Sequence, residues 1–283
     1  MRDSSAPQYR AALRAWFATP PGRELAAAEA GRLRAMLPAA YLSAAAQIGG
    51  VHLDGVMAAV NTGVRAVVGP LAGTVTAGPG MVAADAKTAA AEAETAPPAL
   101  LTVHAKPEHT PLGGNSIDLA LLPHTLDLCA DPHAVLRETA QVVAPDGYIA
   151  VAGFNPHGLW AWLNWLRPGS PHPPRRGRHH PLAVVQDWLA LLGFEPVAGE
   201  MVFYRPPFTD ARRPRWRRWH ERLAFLERAG PRWWPFAAAA YVLLARKKTL
   251  RLAGVAERAR AAPGLAVAPS PVAAAASLQA PNS

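Results

Sequence analysis

Cysteine is nearly missing from this sequence, and a lone thiol, Cys129, excludes both an internal disulfide framework and every zinc pattern built on several cysteines. Unbroken apolar runs of spanning length are missing too. The uncharged stretch Ala66–Ala84 is cut by Gly69, Pro70, Gly73, Gly78, Pro79 and Gly80, too often for a membrane-crossing helix. Near the N-terminus Arg10 and Arg14 interrupt any apolar core of a secretory leader, so the expectation is a soluble, cytoplasmic protein. Acidic residues are the scarcer charge, 20 against 29 Lys and Arg, for a net charge of +9. That balance describes a surface and selects no partner by itself. No G-x-S-x-G elbow, G-x-x-x-x-G-K-[ST] phosphate loop or H-E-x-x-H zinc helix occurs. Among the ten histidines, the close pairs His104/His109 and His179/His180 lack a carboxylate or Cys at ligand spacing, so no native metal site is expected.

What is present is a chain of 283 residues with 51% hydrophobic content, ample for one large core with appendages. Its clearest stretch is Asn115–Pro156. Ile117–Leu122 is almost wholly apolar, the composition of a strand buried on both faces, and Pro123 stops it. Asp131-Pro132 opens a helix, with the Asp side chain as acceptor for free N–H groups and Pro at the first helical position. Val135, Leu136, Thr139, Val142 and Val143 give that helix one apolar face. Pro145-Asp146-Gly147 ends it, and Tyr148–Phe154 is a second strand. A strand, helix and strand joined by a right-handed crossover place the two strands side by side and parallel.

The pieces Asp118–Leu122, Asp131-Pro132, Leu136–Glu138 and Val142–Ile149 together resemble the second half of class I S-adenosylmethionine-dependent methyltransferases. More narrowly, Trp16–Gly22, Leu122–Leu126 and Gly153–Pro156 are similar to the type 11 branch and its bacterial YafS-like members. The resemblance spans about residues 10–248 and is densest over 111–156. It implies an α/β fold: a doubly wound, Rossmann-like, mostly parallel sheet preceded by N-terminal helices, with S-adenosylmethionine across the carboxyl ends of the first strands. The domain expectation is a helical segment over 1–40, a methyltransferase-like α/β domain over 41–249 with a flexible insertion at 71–98, and a disordered tail from 250 to 283.

By position in that pattern, Gln47, Gly49, His104 and Leu122 are the implied cofactor contacts. His124 and Asn155 follow the two central strands and are the candidate catalytic pair, His124 as general base and Asn155 orienting the acceptor. In the family the first strand ends in an acidic residue and Gly-x-Gly-x-Gly; here Gln47 precedes Gly49-Gly50. The second strand carries Gly69-Pro70 where a carboxylate usually receives both ribose hydroxyls, and Lys106 stands near the adenine-reading position. Two functions therefore stay open: methyl transfer to a small apolar acceptor, and an inactive methyltransferase-like scaffold that binds or regulates a partner.

The rest of the chain reads as support. Pro7–Phe17 and the run from Thr19 to Leu37 are helical, and Trp16-Phe17 should pack on the main domain. Gly158–Leu166 is a dense aromatic run and Arg167–His180 a basic, Pro-rich loop; together residues 158–180 are a candidate peripheral membrane contact. Residues 205–234 interleave Arg with Trp, but no nucleic-acid module accompanies them and no specific nucleic-acid partner is expected. Cys129 reads as buried and inert.

Overall fold

The computed structural model describes residues 5–39, 41–50, 56–57, 60–69, 99–166, 178–205 and 237–249. The first of two compact units runs Met1–Lys248 and contains every element described below. The expected insertion at 71–98, most of the basic loop, the Arg/Trp-rich segment and the tail lie outside the described residues.

Two helices open the chain, α1 (Ser5–Phe17) and α2 (Pro20–Met36). Tyr9, Leu13, Trp16 and Phe17 recur at helical spacing on α1 and are buried. Thr19 caps α2, its hydroxyl accepting from Gly22 N at 3.4 Å and donating to Trp16 O at 2.6 Å. Gly22 is dictated by this corner, since a Cβ there would land on the Trp16 carbonyl and Phe17 backbone. Leu25, Glu29 and Leu33, four residues apart, form the buried stripe of α2.

The strands follow as β1 (Leu42–Ile48), β2 (Thr62–Gly69), β3 (Ala99–His104) and β4 (Ile117–Pro123). Next come a short helix α3 (Thr125–Leu128), α4 (Pro132–Val142), β5 (Val143–Phe154) and α5 (Leu159–Leu166). The chain closes with α6 (Leu182–Leu191), β6 (Phe194–Val202) and β7 (Ala240–Lys247). All seven strands form one sheet in the order β3-β2-β1-β4-β5-β7-β6. The first five pair in parallel, and β7 pairs antiparallel with both β5 and β6. The sheet is the doubly wound one expected. It grows from β1 through β2 to β3 on one side and from β4 to β5 on the other, so β1 and β4 flank the switch point where ligands bind in open α/β sheets.

Each face is covered by its own core. Tyr9, Leu13, Trp16, Phe17, Leu25 and Leu33 pack with Leu119, Leu121, Phe154 and Val242 on one face. Val135, Leu136, Val142, Val185 and Leu189 pack with Leu122, Ile149, Val151 and Tyr241 on the other. Burying each such aliphatic side chain stabilises by about 1.5–3 kcal/mol.

Local differences from the sequence reading have physical causes. Strand β2, which the sequence reading placed only by its Gly69-Pro70 end, begins at Thr62, because pairing with β1 starts at Leu42↔Thr62. Strand β5 begins at Val143 and carries the expected turn as an irregularity: Asp146 has φ 63°, and pairing with β4 shifts between Ile117 and Leu119. The described cations at the end of β7 are not all in solvent. Lys247 Nζ donates to Ala140 O, Val143 O and Asn115 Oδ1 at 2.8, 2.7 and 3.2 Å and so closes the C-terminal end of α4.

Candidate active site

The carboxyl edge of the parallel strands is built from two unlike halves. At β1, Gln47 is buried and pairs between Val67 of β2 and Leu121 of β4. Gly49 and Gly50 follow with φ of +66° and +76°, a left-handed pair that only glycine adopts without strain. Their surroundings are occupied. A Cβ on Gly49 would meet Thr125 Cγ2 at 2.6 Å and Pro107 Cγ at 3.1 Å, and one on Gly50 would strike the ring and carbonyl of Pro123. Thr125 also donates to Ile48 O at 2.6 Å, which locks the turn after β4 to the end of β1. The other half is unfilled by described residues: none lies within 4 Å of a Cβ added at Gly69, at the end of β2, and His104 beside it on β3 is exposed.

His124 and Asn155 are placed differently from what the sequence suggests. His124 is fully buried in the left-handed region, φ 52°, between β4 and α3. Its Nε2 faces Glu29 Oε1 at 3.1 Å and its Nδ1 faces Asp127 Oδ2 at 3.0 Å, inside a box formed by Phe17 and Phe154. Burial alone would lower its pKa. The charge of Glu29 and the hydrogen bonds to both carboxylates outweigh that and raise it to about 9. With both ring nitrogens donating, His124 is an imidazolium that has no lone pair to accept a proton. The base role expected for it does not fit this geometry; it ties α2 to the end of β4. Asn155 is also committed, donating from Nδ2 to Ala238 O at 3.0 Å and accepting His157 N at 3.1 Å. It shapes the chain leaving β5. Leu122 is fully buried in the core, so its side chain has no surface to offer a ligand.

Asp127, not among the site residues expected from the sequence, is the centre of the arrangement. Burial would push its pKa up, but hydrogen bonds with His124 and His179 hold it down to about 2. Its Oδ2 accepts from His124 and from Phe154 N at 3.1 Å, and its Oδ1 lies 3.3 Å from His179 Nδ1. His179 is itself 22% exposed and meets Phe154 edge-on. Cys129 is buried, and burial together with Glu108 pushes its thiol up to about 12, so it stays protonated. Glu29 could have been flagged in the sequence as the one acid on the Leu25/Leu33 stripe. His179 gave no such signal inside a Pro- and Arg-rich run.

A separate groove of about 940 Å³ lies between α2 and β6, lined by Glu24, Arg32, Met201, Phe203 and their neighbours and crossed by an Arg32–Glu200 ion pair of 3.2 Å. It borders the antiparallel edge of the sheet rather than the switch point.

Residues 71–151 match the family model described as a methyltransferase domain. Over that stretch the chain is similar to a type 11 methyltransferase domain. The uncharacterised protein YafS of Escherichia coli (strain K12) is 43% identical over 96 residues, covering 33% of this chain and 39% of that protein. An uncharacterised protein of Mycobacterium tuberculosis (strain H37Rv) is 34% identical over 110 residues, 38% of each chain. The chain thus spans under two fifths of the length of these curated relatives. In fold, it is similar to a candidate S-adenosylmethionine-dependent methyltransferase of Listeria monocytogenes, with a TM-score of 0.50 and 12% identity over 79% of this chain and 98% of that one. The mostly parallel seven-strand sheet is the one this methyltransferase fold requires.

The left-handed Gly49-Gly50 turn sits at the switch point, and no described residue lies within 4 Å of a Cβ added at Gly69. No described carboxylate stands at the end of β2, and the Gln47 amide takes the position of the usual acid.

Proposed function

We propose that this chain transfers a methyl group from S-adenosylmethionine to a small, apolar acceptor. When bound, the donor supplies an electrophilic methyl carbon on a cationic sulfonium. The observation that carries the reading is the glycine pair in left-handed conformation at the β1/β4 switch point of a sheet with methyltransferase topology.

The chain's own contribution is alignment more than acid or base strength, and holding two reactants in line can lower a barrier by about 7–11 kcal/mol. Gly49 and Gly50 would let backbone approach the ligand, Gln47 would contribute an uncharged amide, and His104 with the open end of β2 would border the nucleoside. The buried Glu29–His124–Asp127 cluster fixes the turn that closes against Gly49. Peripheral membrane contact through 158–180 belongs to the same proposal, motivated by Trp162, which is 57% exposed on α5. So does a cytoplasmic location.

Titration calorimetry of the whole chain with S-adenosylmethionine and S-adenosylhomocysteine tests the reading. Micromolar binding of either is the expected result. No heat and no thermal shift at millimolar ligand would overturn it in favour of a binding scaffold, the reading that the altered positions Gln47 and Gly69 support.

A further inference from the structure

We propose that His179 is the general base of this domain, oriented by Asp127, and that it takes the proton of a hydroxyl or amine acceptor as the methyl group arrives. This rests on the methyl-transfer reading above and names the residue that serves it.

The geometry starts from Asp127. Its Oδ2 is filled by two donors, the ring of His124 and the amide of Phe154, and its Oδ1 is left to His179 Nδ1. A carboxylate that stays ionised can only accept, so Nδ1 of a neutral His179 must carry the hydrogen. The basic lone pair is then on Nε2. That nitrogen has no partner among the described residues, in contrast to both nitrogens of His124. A carboxylate fixing the tautomer of an imidazole whose other nitrogen is open is the arrangement general bases require.

The surroundings hold the ring in place. Arg178 N donates to Asp127 O at 3.3 Å and Arg178 Nη1 to Ala130 O at 3.1 Å, so the backbone before His179 is docked on α3. Phe154, at the carboxyl end of β5, meets the ring edge-on with centroids 5.3 Å apart. His180 turns away to pack on Trp188. Among the described residues, the charged and titratable groups near His179 include Asp127 in contact, His124 on the same carboxylate with Glu29 beyond it, and Arg178 and His180 along the chain. Position matters as much as chemistry. Thr125 and Asp127 lie on one turn, Thr125 against the Gly49 loop and Asp127 in contact with His179, so one short helix joins the two.

In the step, the acceptor oxygen or nitrogen forms a bond to the methyl carbon and the carbon–sulfur bond breaks with its electron pair on sulfur. The acceptor's proton passes to His179 Nε2. Asp127 stays ionised and stabilises the imidazolium that results.

The test has two readouts on the full chain. Long-range proton–nitrogen spectra of histidine-labelled protein, followed over pH and assigned with His179→Gln, are expected to show the neutral form of His179 protonated at Nδ1 and bare at Nε2; a dominant Nε2–H tautomer would overturn the proposal. The second compares wild type with His179→Gln for S-adenosylhomocysteine binding and for methyl transfer to a phenol and to a thiophenol, which is already ionised. Equal binding, phenol transfer lowered about 10²–10⁴-fold and thiophenol transfer little changed are the expected results. Unchanged phenol transfer with binding intact would remove His179 alone. Loss of binding in both proteins would remove the methyl-transfer reading and the base with it. If wild type transfers to neither probe, the tautomer decides.

Discussion

The two halves of the carboxyl edge solve opposite problems. At the ends of β4 and β5 the polar groups are buried and engaged among the described residues: Glu29, His124 and Asp127 form a closed series, and Phe154 N is drawn into it. At β2 and β3 the strands end in exposed or unfilled positions, Gly69 and His104. The difference separates rigidity from access. A site that works by alignment needs one wall that cannot move and one through which a ligand can enter.

The largest expected effect comes from breaking the closed wall. Glu29→Ala removes one of two carboxylates that hold a fully buried imidazolium and should cost roughly 3–5 kcal/mol in urea denaturation, the scale for a broken buried pair. The same cluster fixes a pH dependence. The folded pKa of His124 is raised from 6.5 to about 9, so its contribution is full below 6.5 and disappears as pH rises through about 9. That of Asp127 is lowered from 3.8 to about 2, so its contribution is full above 3.8 and disappears as pH falls through about 2. Each is on the order of 3 kcal/mol. Stability should therefore be flat between these limits and fall on both sides, and Glu29→Ala should flatten the alkaline limb.

Next in size is Gly50→Ala. The substitution combines a left-handed φ with a collision against Pro123 and should destabilise by about 2 kcal/mol or more, measured by the same denaturation. Lys247→Met is smaller. It leaves the last carbonyls of α4 without their cation and should cost about 1 kcal/mol.

This contrast also marks what the sequence could and could not convey. The β4–α4–β5 unit was legible because its signals are local: Asp131 caps through Ala134 N at 3.0 Å, and the apolar spacing is carried by neighbours in the chain. The helix opening at Thr19 was readable on the same ground. The closed wall was not, because its bonds join residues 95 and 52 positions apart, Glu29 with His124 and His179 with Asp127. A histidine after a strand gives the same local pattern whether it ends in solvent or between two carboxylates. The base role expected for His124 does not fit the structure because only the fold brings Glu29 to its second nitrogen. The short helix α3 escaped notice for a related reason. One turn bounded by His124 and Cys129 has too little periodicity to read.

The smallest expected effect is the sharpest probe of the open wall. Gly69→Ala adds a methyl group where no described residue lies within 4 Å, on a residue whose φ is outside the left-handed region, so the fold should change by less than about 0.5 kcal/mol. The same methyl group stands beside His104, at the end of the strand next to the switch point. A ligand laid across β1 and β2 would meet it. Unchanged thermal unfolding together with S-adenosylhomocysteine binding weakened about tenfold, or about 1.4 kcal/mol, would place the ligand against Gly69. Unchanged binding would confine it to the β1–β4 side, where Pro107, Pro123 and Thr125 already crowd the glycine pair, and that wall would have to open first.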